Sequence, residues 1–394
     1  GTLALGVAEF SMMSILLPVA DDLGVTVPEA GHFISAYAAG VCAGVLIMAA
    51  AARKMPLKTL LLIIVGIITL GNTLTVFVGS YHLMLFSRFI AGLPHGAYFG
   101  AAGVLCTQLA EPGKASRDMC LMVAGMTIAN LAGVPLASFL AWAVSWRAAF
   151  AIAAAAALIT FAAIRITVPK VPALPDSGFA AQFRFLRSLE PWLVLGAIGL
   201  GNGGFFAYYS YVNPVMEHVA AVPASMMSVV ITLAGAGMVL GNLFCAKISS
   251  SFSDESLAAA AGQGVLLLSL ASVFFLAHWS PAAIALTTLA AGCVFFISGP
   301  EQVLMIRNAK EGQLLAASLA QVSFNAGNAV GAWLGGLPID AGKAANWAAM
   351  PGFFLALAGF GLLFVNWLIH RVREEERTAG RIAALKDQIQ SKAP

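Results

Sequence analysis

Long apolar stretches, separated by short polar segments, fill nearly the whole chain. Each is about 20 residues long, which is the length of α-helix that crosses a hydrocarbon layer about 30 Å thick. The pattern therefore predicts twelve membrane-spanning helices, called spans one to twelve in chain order. Their predicted limits are 1–20, 31–51, 59–78, 83–107, 118–142, 148–167, 191–212, 224–245, 257–277, 282–305, 314–335 and 346–369.

The longest polar interruption, Val168–Pro191, contains four prolines and several charges and separates the first six spans from the last six. Such a segment is typical of a linker rather than of a folded domain. The predicted fold is all-α and integral to the membrane, with a binding site between two six-helix bundles near the middle of the membrane. The predicted parts are an N-terminal six-helix bundle at 1–168, a cytoplasmic linker at 169–190, a C-terminal six-helix bundle at 191–369 and a cytoplasmic tail at 370–394.

Composition excludes a water-soluble fold. Hydrophobic residues make up 60% of the 394 residues and charged residues 10%, with a mean hydropathy of +0.89, which leaves too little polar surface for a protein in water. The net charge of +3 is small and the basic residues are dispersed, so no nucleic-acid partner is expected. The five cysteines fall in apolar segments without close pairing, which is typical of small core residues rather than of metal ligands or disulfides.

Lysine and arginine are distributed unevenly between the two sides of the predicted bundle. Arg147 and Lys343 are the basic residues of one side, whereas the loops of the other side and the tail carry nearly all the others. Because cytoplasmic loops are the ones enriched in Lys and Arg, we expect a bacterial inner-membrane protein with both termini in the cytoplasm. No cleavable signal sequence is evident, and because Gly1 opens directly into an apolar helix, we expect a few residues to precede it in the native protein.

Span four carries an arginine and a histidine in the middle of its apolar run. On one continuous helix Arg88, Gly92, His95 and Phe99 share a face, because seven residues make two turns. A charged group in hydrocarbon costs roughly 2.5 to 3.5 kcal/mol on insertion scales, so such residues normally face a protein interior or an aqueous cavity. The pattern therefore indicates a functional site on this face.

Glu9 is a second ionisable residue within the apolar spans. It lies about 12 Å along span one at 1.5 Å per residue, where an ionised carboxylate needs a partner. Desolvation favours the protonated form and a nearby arginine favours the ionised form, so alternating exposure can drive proton exchange. We therefore predict Glu9 as the proton carrier, Arg88 as its electrostatic partner and His95 as an auxiliary titrating group. The alternative is that Glu9 and His95 are hydrogen-bonded core residues.

Polar and aromatic side chains on the spans are candidates for contacts with a small-molecule substrate. They offer flat apolar faces together with hydroxyl and amide groups, although hydrogen bonding between helices explains the asparagines equally well. The aromatic and polar residues of span seven wrap its helix, so some of them must face lipid or the core. The candidates are Asn130, Asn202, Phe206, Tyr208, Tyr211, Asn325 and Asn328.

Several motifs in the N-terminal half follow the patterns of one known family. They are Glu9 with Leu17 and Pro18 in span one, Arg88, Gly92 and Gly96 in span four, Gly125, Gly133 and Pro135 in span five, and Trp146, Arg147 and Phe150 at span six. On these motifs the chain resembles the major facilitator superfamily, in its drug/proton antiporter branch, and is similar to arabinose-efflux-permease-like transporters. The resemblance implies two six-helix halves, a role of the span-four arginine in proton coupling, and export of a small molecule.

The resemblance also points to positions that control a gate. The family's loop between spans two and three usually contains an acid and a glycine, whereas the loop with Arg53 and Lys54 has neither. Asp118 is either a replacement partner for these two cations or an acid that interacts with a helix dipole. Gly133 and Pro135 are expected to bend span five, and the family associates that bend with export. The alternative is a helix kink with no directional meaning.

Glu301 follows Pro300 near the end of span ten, where the proline interrupts the helical hydrogen bonds. It is predicted as an intracellular gate acid or a second proton site. The alternative is a carboxylate that reaches the membrane interface near Arg307.

Glycines recur every fourth residue in several spans, which is the spacing of close helix contacts. In the fold that the chain resembles, spans two and eleven, and spans five and eight, meet across the two halves. We therefore expect smooth glycine surfaces between halves that rock as near-rigid bodies. The repeats are Gly40 and Gly44, Gly237 and Gly241, and Gly327, Gly331 and Gly335.

The motifs favour transport over catalysis. The sequence has no H-E-x-x-H, C-x-x-C or G-x-S-x-G motif and its six histidines are scattered, so we expect neither an enzyme nor a cofactor or metal site. We expect a monomeric, proton-coupled exporter of a drug-like molecule, sugar or metabolite that works by alternating access. The alternative is a proton-coupled importer or a passive facilitator, because a fold does not determine direction.

Overall fold

A computed structural model of the chain describes residues 1–51, 55–109, 122, 125–169, 183–248, 255–309 and 313–392. These residues form helices along each of the twelve predicted spans. In the N-terminal half, defined as spans one to six, they are Thr2–Ser14 with Leu16–Leu23, Val27–Ala51, Leu57–Val76, Tyr81–Gly92 with His95–Leu109, Gly125–Ala143 and Arg147–Thr167. In the C-terminal half, spans seven to twelve, they are Glu190–Tyr209, Met227–Ile248, Glu255–Leu276, Ser280–Asn308, Gln313–Asp340 and Ala349–Lys392.

The helices have the length and the surface of membrane spans. Within the described ranges, seven are each long and apolar enough to cross a membrane, and the bent pair in span one makes eight. Large apolar side chains such as Ile159 and Phe275 are exposed on the outside of the bundle, where lipid takes the place of water. Span twelve continues without a break through the predicted tail as one helix of 44 residues.

Four spans depart from a regular α-helix. Span seven is interrupted after Tyr209 and continues through Val212–Pro214 into a π-helical segment, Val215–Val219. Span one bends by 72° around Ile15, between its two helices. Span four is interrupted at Leu93 and Pro94, so the expectation of one continuous helix there is wrong. The physical reason is that Pro94 has no N–H to donate and its ring crowds the preceding turn. Span five contains one π-helical turn, Ala129–Gly133, directly before the regular helix that holds Pro135.

The glycine repeats pack inside each half, which corrects the expectation that they face the other half. A Cβ atom at any of them would collide with a backbone atom of a neighbouring helix in the same half, so these helices approach each other very closely. Each half is therefore tightly packed within itself. The pairs are Gly40 with Phe89, Gly44 with Leu93, Gly237 with Thr288, Gly241 with Gly292, Gly327 with Gly199, Gly331 with Gly203, and Gly335 with Ala207.

The two halves meet through the pairs of spans that the family resemblance implies. Ser35 Oγ of span two donates to the Ala329 carbonyl of span eleven over 2.9 Å. The backbone carbonyl of Asn130, in the π-helical turn of span five, lies against Gly235 of span eight. Spans two and eleven, and five and eight, are thus in contact, but through other residues than the predicted glycine repeats.

One end of the bundle, called the Asp22 end, is held by an ion pair and a helix cap. Arg147 Nη1 pairs with Asp22 at 2.9 Å, and its Nη2 donates to the Val78 carbonyl over 2.9 Å. Glu29 Oε2 accepts hydrogen bonds from the Thr26 N–H over 2.7 Å and from the Thr26 hydroxyl over 2.9 Å, which is a capping box at the start of span two. These hydrogen bonds lower the pKa of Glu29.

Loss of this cap is expected to destabilise span two. Thr26→Ala should lower the free energy of unfolding by about 1 kcal/mol, seen as a lower melting temperature in detergent, whereas Thr26→Ser keeps the hydroxyl and is the control. The contribution of Glu29 to stability should depend on pH. Because the pKa of Glu29 is lower in the folded than in the unfolded state, this contribution is present above the unfolded-state pKa and is lost as the pH falls through the folded-state pKa. The stability difference between wild type and Glu29→Gln should therefore shrink below the ordinary glutamate pKa of 4.5. A difference that does not depend on pH would contradict this role of the carboxylate.

Candidate functional site

Four polar side chains from spans one, two and four meet inside the N-terminal half. Tyr37 Oη lies 2.9 Å from His95 Nδ1, and His95 Nε2 lies 3.8 Å from Glu9 Oε2. Arg88 interacts electrostatically with Tyr37 and with Glu9. The exposed fraction is 3% for Glu9 and 0% for Arg88 and His95. The structure thus brings together the three residues that the sequence singled out for proton coupling, and it adds Tyr37.

Arg88 is held by neutral groups rather than by a carboxylate. Its Nη2 donates to the Ala8 carbonyl over 2.8 Å, and its guanidinium carbon lies 4.5 Å from the centre of the Tyr37 ring and 5.1 Å from that of Phe150. Aromatic faces attract a guanidinium most strongly where water is excluded. In the described part of the chain Arg88 makes no ion pair, and its Nε and Nη1 have no hydrogen-bond partner. Its charge therefore acts on Glu9 at longer range.

The interruption at Pro94 determines the position of His95. His95 begins the second helix of span four, and its ring stacks on Phe99 with the ring centres 5.4 Å apart. Tyr37 binds the Nδ1 atom of the ring and leaves Nε2 towards Glu9. Sequence reasoning missed Tyr37, although a tyrosine in the middle of an apolar span carries the same signal of a polar group in hydrocarbon that identified Glu9.

Glu9 lies where the two halves meet. The Asn328 side chain of span eleven is close enough to interact with the Glu9 carboxyl group, although neither amide atom of Asn328 has full hydrogen-bond geometry. Beside Glu9, the Phe10 ring contacts Phe206 of span seven with the centres 6.5 Å apart, and Phe206 contacts Phe324 of span eleven at 5.1 Å. A movement of the C-terminal half therefore changes the surroundings of Glu9 directly.

A second buried carboxyl group lies in the C-terminal half. Glu301 of span ten is 2% exposed and accepts a hydrogen bond from Asn202 Nδ2 of span seven over 3.1 Å. The alternative in which Glu301 reaches the membrane interface near Arg307 is wrong, because the Glu301 carboxyl group is enclosed by the bundle. Arg307 instead pairs with Glu255 at 2.8 Å.

The remaining substrate candidates are all buried, and four of them hydrogen-bond to protein groups. The aromatic residues between positions 205 and 211 of span seven are core residues rather than lipid-facing ones. Both amide atoms of Asn328 and the side-chain carbonyl of Asn325 lack a protein partner. The four hydrogen bonds join Tyr208 to Thr287 (2.5 Å), Tyr211 to the Ala332 carbonyl (2.8 Å), Asn130 to the Met126 carbonyl (3.1 Å) and Asn325 to the Gln321 carbonyl (3.0 Å).

The gate candidates are only partly within the described residues. Arg53, Lys54 and Asp118 lie outside them. Gly133 ends the π-helical turn of span five and faces span one, where a side chain at this position would collide. Pro135 is buried in the first turn of the regular helix that follows.

Asn213 joins the two halves towards the Asp22 end. Its Oδ1 accepts a hydrogen bond from the Leu17 N–H over 2.9 Å, and its Nδ2 donates to Glu217 Oε1 over 2.6 Å. The Leu17 N–H lies in the first turn after the break in span one and has no acceptor in its own helix. The Tyr211 hydroxyl group lies against Gly31 of span two. These contacts hold the halves together at this end.

Comparison with known proteins agrees with this architecture. The family model described as Major Facilitator Superfamily matches residues 1–314. The chain belongs to this superfamily. It is 36% identical over 365 residues to the putative transporter AraJ of Escherichia coli (strain K12), an alignment that covers 93% of this chain and 92% of AraJ. It is 25% identical over 339 residues to the purine ribonucleoside efflux pump NepI of Shigella sonnei (strain Ss046), with 85% and 84% covered.

A solved structure shares the fold of this superfamily member. It is a bacterial homologue of the human lysosomal transporter Spinster in an inward-facing, unoccupied conformation, and it matches with a TM-score of 0.67 at 15% identity over 93% of both chains. The predicted fold class is thereby confirmed. The protein is a multi-pass membrane transporter of the major facilitator superfamily and not an enzyme.

Loss of the Asn213 bridge is expected to open the Asp22 end more often. Asn213→Ala leaves the Leu17 N–H without its acceptor, and a buried donor without a partner costs roughly 1 to 3 kcal/mol. In a variant without native cysteines, a cysteine introduced at the buried Ala332 next to Tyr211 should then react faster with a water-soluble maleimide. Asn366→Ala is the control, because Asn366 bonds to Ser256 within the C-terminal half. Equal acceleration in both variants would mean that Asn213 does not act as a bridge.

Proposed function

We propose that this transporter is an inner-membrane antiporter that exports a small molecule in exchange for protons by alternating access. Glu9 carries the proton, Arg88 is its electrostatic partner, and His95 is an auxiliary titrating group. The observation that most supports the proposal is the position of Glu9, a nearly inaccessible carboxyl group without an ion pair to Arg88, next to Asn328 of the other half. The surroundings of such a group change whenever the two halves move.

The arrangement provides a physical route for coupling. Loss of hydration favours the protonated carboxyl group, whereas the charge of Arg88 favours the ionised one. Because these effects oppose each other, the protonation of Glu9 is sensitive to a third neighbour, the Asn328 amide of the other half. When the halves separate on one side, water reaches Glu9 and the proton leaves to that side. Alternating exposure then moves protons in one direction and substrate in the other.

The proposed substrate site lies between the halves, beside Glu9. Asn328 and Asn325 have amide atoms without protein partners, and Phe206 provides an apolar ring at the same junction. These groups suit a small molecule with both polar and apolar parts, such as a drug-like compound, a sugar or a metabolite. The proposed lining is completed by Asn130, Tyr208 and Tyr211, whereas Asn202 hydrogen-bonds to Glu301 within the C-terminal half.

Export is supported by a relative and by the shape of span five. NepI, whose alignment covers 85% of this chain, is named an efflux pump, and span five is irregular at Gly133, close to Pro135, where the family resemblance implies a bend associated with export. We place the gate at Arg53, Lys54, Asp118, Gly133 and Pro135. Both termini are placed in the cytoplasm because the loops on that side are rich in lysine and arginine, and the protein is proposed to act as a monomer.

Glu9→Gln should abolish proton-driven transport, because glutamine cannot exchange a proton. A thermal-shift screen of candidate ligands on the purified protein first identifies a ligand, whose flux is then measured in proteoliposomes with and without a pH gradient. The wild type should accumulate the ligand against its concentration gradient, whereas Glu9→Gln should fall to the level of protein-free liposomes. Glu375→Gln, at an exposed carboxylate of the tail, is the control. Flux that ignores the pH gradient in the wild type would instead identify a passive facilitator.

Arg88→Lys should change the pH dependence of transport although it keeps the positive charge. A lysine ammonium does not stack on the Tyr37 and Phe150 rings as a planar guanidinium does, and it is more strongly hydrated, so the charge near Glu9 moves. The measurement is the pH profile of ligand flux at a constant pH gradient. Arg147→Lys is a matched control, because its guanidinium also lies over an aromatic ring, Trp146 at 4.3 Å, but at the Asp22 end. An unchanged profile in Arg88→Lys would argue against an electrostatic role of Arg88.

A further inference from the structure

We propose that Glu301 and Asn202 form a second proton-binding site, which lies entirely within the C-terminal half. Asn202 Nδ2 of span seven donates to Glu301 Oε2 of span ten over 3.1 Å. The exposed fraction is 2% for Glu301 and 0% for Asn202. Glu301 Oε1 and Asn202 Oδ1 are both buried and lack a hydrogen-bond partner. The inference rests on the proposed function in one respect, since it adds a second site for the same coupling ion.

The two unpaired oxygen atoms indicate what the site binds. In the ionised state a carboxylate only accepts hydrogen bonds, as does the amide oxygen, so neither Glu301 Oε1 nor Asn202 Oδ1 can satisfy the other. A proton on Oε1 turns this atom into a donor. The carboxylic acid and the amide then pair head to head, with one hydrogen bond in each direction. The hydrogen bond that is already present aligns the two groups for this arrangement.

Electrostatics also favour the protonated form, since the described residues provide no cation for Glu301. An isolated carboxylate in a low-dielectric interior is so unfavourable that the group is neutralised instead. The spans packed against span ten contribute Glu190, Cys245 and Glu255 as titratable groups towards the same end. Glu190 Oε2 lies 3.5 Å from His370 Nε2 and Glu255 pairs with Arg307 at 2.8 Å, so both carboxyl groups have partners of their own.

A metal cation fits the site less well than a proton does. Hard cations are surrounded by several oxygen ligands, and Ca²⁺ takes six to eight. The pair itself offers two buried oxygen atoms without partners. The residues that the structure describes contain no cluster of three or more acidic, histidine or cysteine side chains suited to a metal ion.

The Glu301–Asn202 pair lies between an apolar cluster and the junction of the two halves, next to a weakened turn of span ten. On one side an apolar cluster of spans seven, ten and eleven closes the interior, with Ile198, Leu304, Met305 and Ala320 among its members. On the other side, one turn further along span seven, Phe206 contacts Phe10 of the N-terminal half. Pro300 lies inside the helix of span ten directly before Glu301, so the Phe296 carbonyl lacks its usual donor and the helix bends more easily there. Such bending gives water access to the carboxyl group, and the proton is taken from or returned to that water.

Infrared spectroscopy of the purified, full-length protein at neutral pH tests the site without any substrate. The signal is the C=O stretch of protonated carboxyl groups, and the difference is taken between the wild type and each variant. Glu301→Gln should remove one such band, and Glu9→Gln should remove a different one. Asn202→Leu should shift the Glu301 band rather than remove it, because the acid keeps its proton but loses its amide partner. Glu375→Gln should leave the spectrum unchanged.

The outcomes separate the two proposals. If Glu301→Gln removes no band, the second site is refuted, whatever happens at Glu9. If only Glu9→Gln leaves the spectrum unchanged, the proton-carrier role of Glu9 fails while the second site stands. A Glu301 band that disappears on addition of sodium at constant pH would assign a metal cation to the pair. Should Glu301→Gln not fold, the Asn202→Leu spectrum decides, since a spectrum without any shifted band refutes the pairing.

Discussion

The cost of burying charge in a low-dielectric interior is the constraint on which this structure depends. Arg88 is tolerated inside the N-terminal half because two aromatic faces and a backbone carbonyl surround its guanidinium. Its charge in turn makes an ionised Glu9 possible beside it, and the Tyr37 hydroxyl orients the His95 ring. In the C-terminal half no such cation accompanies Glu301 within the described residues, and an amide takes its place. The two halves thus accommodate a buried carboxyl group in different ways.

Among the described residues, close backbone contacts at glycines are more frequent within the halves than between them. Inside each half, glycines bring helix backbones into direct contact, as between Gly44 and Leu93 or Gly331 and Gly203. Between the halves, the Asn130 carbonyl approaches Gly235 closely, and the other contacts include hydrogen bonds such as that from the Leu17 N–H to Asn213 and ring contacts such as that of Phe10 with Phe206. Backbone contacts resist deformation, whereas individual side-chain contacts break and form again. This difference is compatible with the proposed alternating access, in which the halves move as near-rigid bodies.

Hydropathy predicted the helices along the twelve spans and the all-α membrane class correctly, because only a helix satisfies its own backbone in lipid at that length. The motifs of the N-terminal half were needed for the family. The rule that ionisable residues avoid hydrocarbon also identified Glu9, Arg88 and His95, which lie together. Which helix face meets which neighbour could not be predicted, since it depends on packing between distant segments. For that reason the prediction that the glycine repeats face the opposite half was wrong. Pro94 by itself indicates the break in span four, whereas the seven-residue spacing of Arg88 and His95 indicates a continuous helix.

The unbroken helix of span twelve has a mechanical consequence. Its 44 residues extend roughly 66 Å at 1.5 Å per residue, about twice the thickness of the hydrocarbon layer. One part of it is built into the C-terminal half, where Gly359 packs on Gly201, and the helix continues without a break to Lys392. If the half tilts as proposed, a point far along a continuous helix is displaced more than a point near its anchored part, so a fluorophore attached near Lys392 would report the movement with a larger displacement.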